Sequence, residues 1–106
     1  MIPLAELAAL LGLPEEDYLE IVNEFIRATD EDVAGIRAGF AAGDAEQVRK
    51  RAHSIYGAAI NLGFEELAGE ARAIELAATA KQLSGLEKAF NHLLKCAEEV
   101  KGSMPA

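Results

Sequence analysis

Tryptophan is absent from this chain, there is a single cysteine, and all three prolines lie near its ends, at Pro3, Pro14 and Pro105. Each scarcity excludes something. One thiol, Cys96, leaves no internal disulfide, so neither a disulfide scaffold nor an oxidising compartment is indicated. Without proline between Glu15 and Gly102, nothing there forbids helix. Aromatics are 6% of the residues against 51% hydrophobic, so the apolar content is mainly Ala, Leu and Ile, which favours helix over sheet. Long hydrophobic runs are missing too. The stretch Leu4 to Leu13 is broken by Glu6 and is too short to span a bilayer, and Met1-Ile2-Pro3-Leu4 has no basic segment of the kind that opens a targeting signal. Positive charge is scarce: the net charge is -8, which argues against nucleic acid and anionic membrane as partners. A cytoplasmic protein is the expectation.

What is present is helical periodicity over a length of 106 residues, enough for one domain, 1–106, with its own core. A short helix from about Pro3 to Leu11 places Leu4, Leu7, Ala8 and Leu11 on one face, and Gly12 stops it. Pro14 and the acids Glu15, Glu16 and Asp17 open a long helix reaching about Ala42. Its stripe is Leu19, Val22, Ile26, Thr29, Val33, Ile36 and Phe40, and Gly43 ends it. Asp44 and Gln47 pattern as a capping box for a third helix, which carries Ala45, Val48, Ala52, Ile55, Ala59 and Leu62 and ends at Gly63. A fourth starts near Phe64 with Leu67, Ala71, Ile74 and Ala78. Ser84 and Glu87 pattern as a second capping box, ahead of a fifth helix with Leu86, Phe90, Leu93, Ala97 and Val100. Short connections imply antiparallel neighbours. The prediction is an all-α fold: an antiparallel up-down-up-down four-helix bundle, monomeric, with a short N-terminal covering helix.

A bundle has no function by itself, so side chains that break the pattern carry the reading. At about 100° per residue, His53 falls roughly 130° from the centre of its helix's apolar stripe and faces outward. Gly57 shares that face. A mid-helix glycine costs about 1 kcal/mol relative to alanine. Because helical side chains lean towards the N-terminus, a glycine four positions on leaves the His53 imidazole uncovered. Close packing against another helix is the competing reason for Gly57. Ile60, two turns beyond His53, is either an apolar docking contact or a scattered surface hydrophobe. Arg49 and Lys50, one turn before His53, could attract an acidic partner or a phosphoryl group; Arg51 reads as a solvated helix residue. His92 points outward beside Lys88, Lys95 and Glu99 and reads as a solvated histidine, and Cys96 as an inert residue at the core edge. Di-iron bundles need inward Glu-x-x-His pairs, but Lys50 and Ala89 stand three before the two histidines, so no metal is expected. Nor is there a phosphate-binding glycine loop or a nucleophile elbow, so no autonomous kinase or hydrolase is expected.

The run His53-Ser54-Ile55-Tyr56-Gly57-Ala58-Ala59-Ile60-Asn61-Leu62-Gly63 resembles the motif of the histidine-containing phosphotransfer (HPt) domain family, His-x-x-Lys-Gly-x-x-x-x-Leu-Gly. Ala41 to Asp44, Ala52, and Glu65-Glu66-Leu67-Ala68 resemble the family pattern as well, and the likeness extends from about Tyr18 to Val100. The resemblance implies that His53 takes a phosphoryl group from an aspartyl phosphate on a response-regulator receiver domain and passes it to another receiver, with a hybrid sensor kinase as a further partner. It implies attack by Nε2, no cofactor of the chain's own, and Mg2+ on the receiver. An exposed imidazole suits this, being largely neutral at pH 7 and hence nucleophilic. The family's lysine is Tyr56 here, whose hydroxyl can donate a hydrogen bond but brings no charge; Arg49 or Lys50 could compensate. The alternative is a binding module that regulates a kinase or receiver without carrying phosphate.

Overall fold

The computed structural model describes residues 1–105. Five helices follow one another: α1 (Leu4–Leu10), α2 (Glu15–Ala42), α3 (Ala45–Leu62), α4 (Glu65–Thr79) and α5 (Glu87–Ser103). Pairings fix their directions. Tyr18 near the start of α2 meets Leu62 at the end of α3, while Asp32 meets Arg51, so α2 and α3 run antiparallel. Phe40 stacks edge-on with Phe90 and Asp30 pairs with Lys101, so α5 returns antiparallel beside α2. With α4 between α3 and α5, the four long helices close the expected up-down-up-down bundle. Its long axis of 41 Å is set by the 28 residues of α2, about 42 Å at 1.5 Å per residue.

Local chemistry explains most of the boundaries. Gly43 and Gly63 end α2 and α3 in the left-handed conformation, at φ 65° and 86°, which costs glycine nothing. Asp44 Oδ1 accepts the Gln47 N–H at 3.1 Å and caps α3. The core gathers Val48, Ala52, Ile55, Ala59 and Leu62 from α3 with Leu67, Ala71, Ile74, Leu93 and Val100 from α4 and α5. The covering helix seats Leu4, Leu7 and Ala8 in this core, with Leu7 against Gly63 at the α3–α4 turn.

Four expectations need correction. Leu11 lies past the end of α1 and is 42% exposed. The buried face of α2 is rotated from the expected stripe: Tyr18, Phe25, Asp32, Gly35 and Gly39 are buried, whereas Leu19, Ile26, Val33 and Phe40 only flank the core. The cause is close approach to α3. A side chain at Gly39 would strike Val48, and one at Gly35 would strike Arg51. Arg51 is accordingly no solvated residue; its Nη1 donates to the buried Asp32 at 3.1 Å. The Ser84–Glu87 capping box does not form. Leu86 occupies the N-cap position of α5 with no side-chain cap. Leu86 packs against the core, and that burial sets the helix start two residues beyond Ser84.

Tyr18 shows how the bundle end is closed. Its buried hydroxyl donates at 2.7 Å to the Leu62 carbonyl, one of the end carbonyls that α3 itself cannot satisfy. Tyr18→Phe orphans that carbonyl and should destabilise the fold by about 1–3 kcal/mol, seen as a lower denaturant midpoint. Burial also pushes the Tyr18 hydroxyl above its ordinary range. The folded state therefore holds this proton longer than the unfolded chain. The stability it contributes is complete below the unfolded value, about pH 10, and is lost as pH rises through the folded one. The variant should show a shallower alkaline loss of stability.

Candidate functional site

His53 projects from the middle of α3 with its side chain 60% exposed. The helix turns it away from the stripe Val48, Ala52, Ile55 and Ala59, all buried. One ring nitrogen is not free. Nδ1 lies 2.7 Å from Glu75 Oε2, on the facing helix α4. Glu75 is only 7% exposed, and its other oxygen accepts from Arg72 Nη1 at 3.0 Å. A carboxylate can only accept, so Nδ1 carries the proton and donates it to Glu75. In the neutral ring this sets the tautomer: Nε2 is left with the lone pair, on a side chain that is mostly exposed. The Arg72 guanidinium also lies over the Tyr56 ring, 5.2 Å from its centroid, within cation–π range. Four side chains from two helices thus form one chain of contacts, Tyr56–Arg72–Glu75–His53.

Of the residues singled out from sequence, Gly57 and Ile60 share the exposed face of α3 with His53. No heavy atom lies within 4 Å of where a Gly57 side chain would begin, so close helix packing is not its reason. Ile60 is 48% exposed. Tyr56 is partly buried and packs against the core. Arg49 is engaged elsewhere: its Nε and Nη2 donate to the two oxygens of Glu46 at 2.9 and 2.6 Å. This bidentate pair holds the Glu46 carboxyl below its usual range, through the hydrogen bond first and the charge second. Lys50 is exposed and makes no ion pair among the described residues.

Glu75 and Arg72 are the residues that sequence reasoning missed. The signal was present. Glu75 follows Ala71 by four, about 40° away around the helix, so a carboxylate sits inside the apolar stripe of α4. Such a group needs a partner, and the partners are His53 and Arg72. A second correction concerns His92. It is half-exposed but not unpartnered: Nδ1 lies 3.0 Å from Glu70 Oε1 and Nε2 3.5 Å from Glu66 Oε1. Cys96 is buried as expected, and burial, followed by Glu66, Glu99 and Glu70, pushes its thiol up.

Comparison with known proteins agrees with this architecture. The Hpt domain family model matches residues 20–103. Among solved structures, the chain is similar to histidine-containing phosphotransfer protein B (HptB) from Pseudomonas aeruginosa PAO1, at 27% identity and a TM-score of 0.80, over 90% of this chain and 83% of that one. No curated protein gives a match. The fold and the matched family define a histidine phosphotransfer protein of the kind that works in phosphorelays with receiver domains and kinases. The chain belongs to the Hpt domain family. No helix among the described residues is long and apolar enough to cross a membrane.

Proposed function

We propose that His53 is the phosphoryl carrier, accepting the group from a receiver-domain aspartyl phosphate and delivering it to the aspartate of another receiver. The observation that carries this reading is the His53–Glu75 pair, which protonates Nδ1 and leaves Nε2 open to an incoming partner. The Nε2 lone pair attacks phosphorus, the bond from phosphorus to the aspartyl oxygen breaks, and the aspartate leaves as carboxylate. The ring becomes an N-phosphorylated imidazolium whose Nδ1–H still donates to Glu75. That bond strengthens as positive charge develops on the ring. Return transfer runs the same steps backwards. Mg2+ in this scheme belongs to the receiver, which neutralises the phosphoryl oxygens; the chain itself acts as a carrier rather than an enzyme.

Arg72 answers the missing lysine. Its guanidinium lies over Tyr56, the lysine position of the family motif, and binds Glu75. It brings a cation to the neighbourhood of the imidazole, a role for which Arg49, tied to Glu46, is poorly placed. Arg72→Gln should shorten the lifetime of phosphorylated His53 about three- to tenfold, the lower range for a charge-assisted contact at a half-exposed group. Decay of the acid-labile label measures it.

Gly57 and Ile60 give the partner its approach. Gly57→Gln places a side chain beside the imidazole in open space. Because glycine is a poor helix former, the variant should be more stable by about 0.5–1 kcal/mol, yet transfer from a receiver should slow at least tenfold. Stability and function moving in opposite directions would show that Gly57 serves access. The test of the reading as a whole is incubation with a phosphorylated receiver domain, followed by peptide mapping. An acid-labile, alkali-stable label on the His53 peptide supports it; a bound receiver with no label on the chain favours a regulator that carries no phosphate.

A further inference from the structure

A second cluster lies between the first half of α4 and α5; its far member on α4, Glu66, is nine residues and about 13 Å along the helix from Glu75. Glu66 and Glu70 project from α4, and His92 and Cys96 from α5. The spacing is four in both cases, which puts each pair on one helix face. One ligand atom each from Glu66, His92 and Cys96 lies within 4.8 Å of the others. We propose that these three side chains bind a thiophilic divalent cation of the Zn2+ class, clipping α4 to α5.

Three features carry this beyond an accidental meeting of polar groups. The donor set is thiolate, imidazole and carboxylate, which suits Zn2+ and not Mg2+ or Ca2+, whose ligands are oxygens. The histidine is already oriented. Its Nδ1 lies 3.0 Å from Glu70 Oε1, so that nitrogen holds a proton, and Nε2 faces Glu66 Oε1 at 3.5 Å, where a bound cation would take the place of a proton. A carboxylate behind a ligating histidine is the usual outer support of zinc sites. Flexibility is placed where closure needs it. Tetrahedral Zn2+, with bonds of about 2.0–2.3 Å, needs the ligand atoms roughly an ångström closer together. Glu66 is exposed and free to swing inward, while Cys96 is fixed in the core edge.

The charges balance. Binding releases the Cys96 thiol proton to solvent. One thiolate and the Glu66 carboxylate then neutralise the cation, neutral His92 is the third ligand, and water fills the fourth position.

The test uses the reduced, untagged chain with Co2+ as a spectroscopic stand-in for Zn2+. One equivalent should bind, give a sulfur-to-cobalt charge-transfer band in the near ultraviolet, be displaced by Zn2+ and ignore excess Mg2+. Cys96→Ser should lose the band. His92→Gln, a change at a half-exposed position that spares the core, should weaken binding at least tenfold, and Glu70→Gln about 10–100-fold. His53→Gln should bind as the parent does, which separates this site from the phosphoryl carrier. Absence of the band from the folded parent chain, or equal affinity in parent and His92→Gln, would overturn the proposal.

Discussion

His53→Gln is expected to abolish acid-labile phosphorylation while leaving the bundle folded and able to bind a receiver. The loss should be complete, because no other nucleophile on this face replaces Nε2; the remaining histidine, His92 on α5, is held by Glu66 and Glu70 of α4. The structural cost should be small. His53 is exposed on the outer face of α3, where substitutions usually change stability by about 0.5 kcal/mol or less. Among the described residues its side chain hydrogen-bonds to Glu75, and a glutamine amide can still donate to that carboxylate, which keeps Arg72 as well. Label incorporation from a phosphorylated receiver, read beside circular dichroism and receiver binding, measures all three outcomes.

The second large effect is expected at Glu75. This carboxylate is buried and accepts from both His53 and Arg72. It is therefore a positioning residue. Glu75→Gln keeps the shape and the acceptor oxygen but removes the charge and adds a competing N–H donor. The imidazole then loses the group that fixes its tautomer and stabilises the imidazolium formed on phosphorylation. Outer-shell carboxylates behind functional histidines are worth roughly 10–100-fold, and the transfer rate should fall by that factor. Receiver affinity should stay within about twofold of the parent, since Glu75 is covered. The diagnostic readout is the split between rate and affinity: transfer slows while receiver binding holds, which a general loss of structure would not produce. Glu75→Asp, which retains the charge on a shorter stem, should recover part of the rate.

The fold was legible in this sequence where its causes are local. Asp44, Gly43 and Gly63 set helix ends through their own backbone and side-chain chemistry, and the stripe of α3 matches the buried residues closely. The outward face of His53 and the open space at Gly57 follow from the same periodicity. What escaped depends on how two helices meet. The burial of Tyr18 and Phe25 follows from rotation of α2, which Gly35 and Gly39 allow by letting α3 approach. Arg51 reads as solvated until Asp32, nineteen residues away, is seen opposite it. The His53–Glu75 and His92–Glu70 pairs each join residues 22 apart across helix interfaces, and their register is not encoded in either helix alone. Ser84 illustrates the reverse failure. Its capping pattern is sound locally but is overruled by burial of Leu86. For the site itself, the proposed carrier His53 was readable from the motif, whereas the groups that contact it, Glu75 and through it Arg72, were readable only as an anomaly in an apolar stripe.

Phosphoryl carriage by His53 depends on one atom, Nε2, left free because Nδ1 carries the ring proton and donates it in a hydrogen bond to Glu75. Long-range nitrogen–proton correlation spectra of the imidazole, recorded before and after phosphorylation by a receiver, observe it directly. In the unmodified protein the spectra should show the Nδ1–H tautomer. After transfer the phosphorus should be bonded to Nε2, with the Nδ1 proton retained and protected from exchange. A phosphoryl group on Nδ1, or on any residue other than His53, would contradict the account.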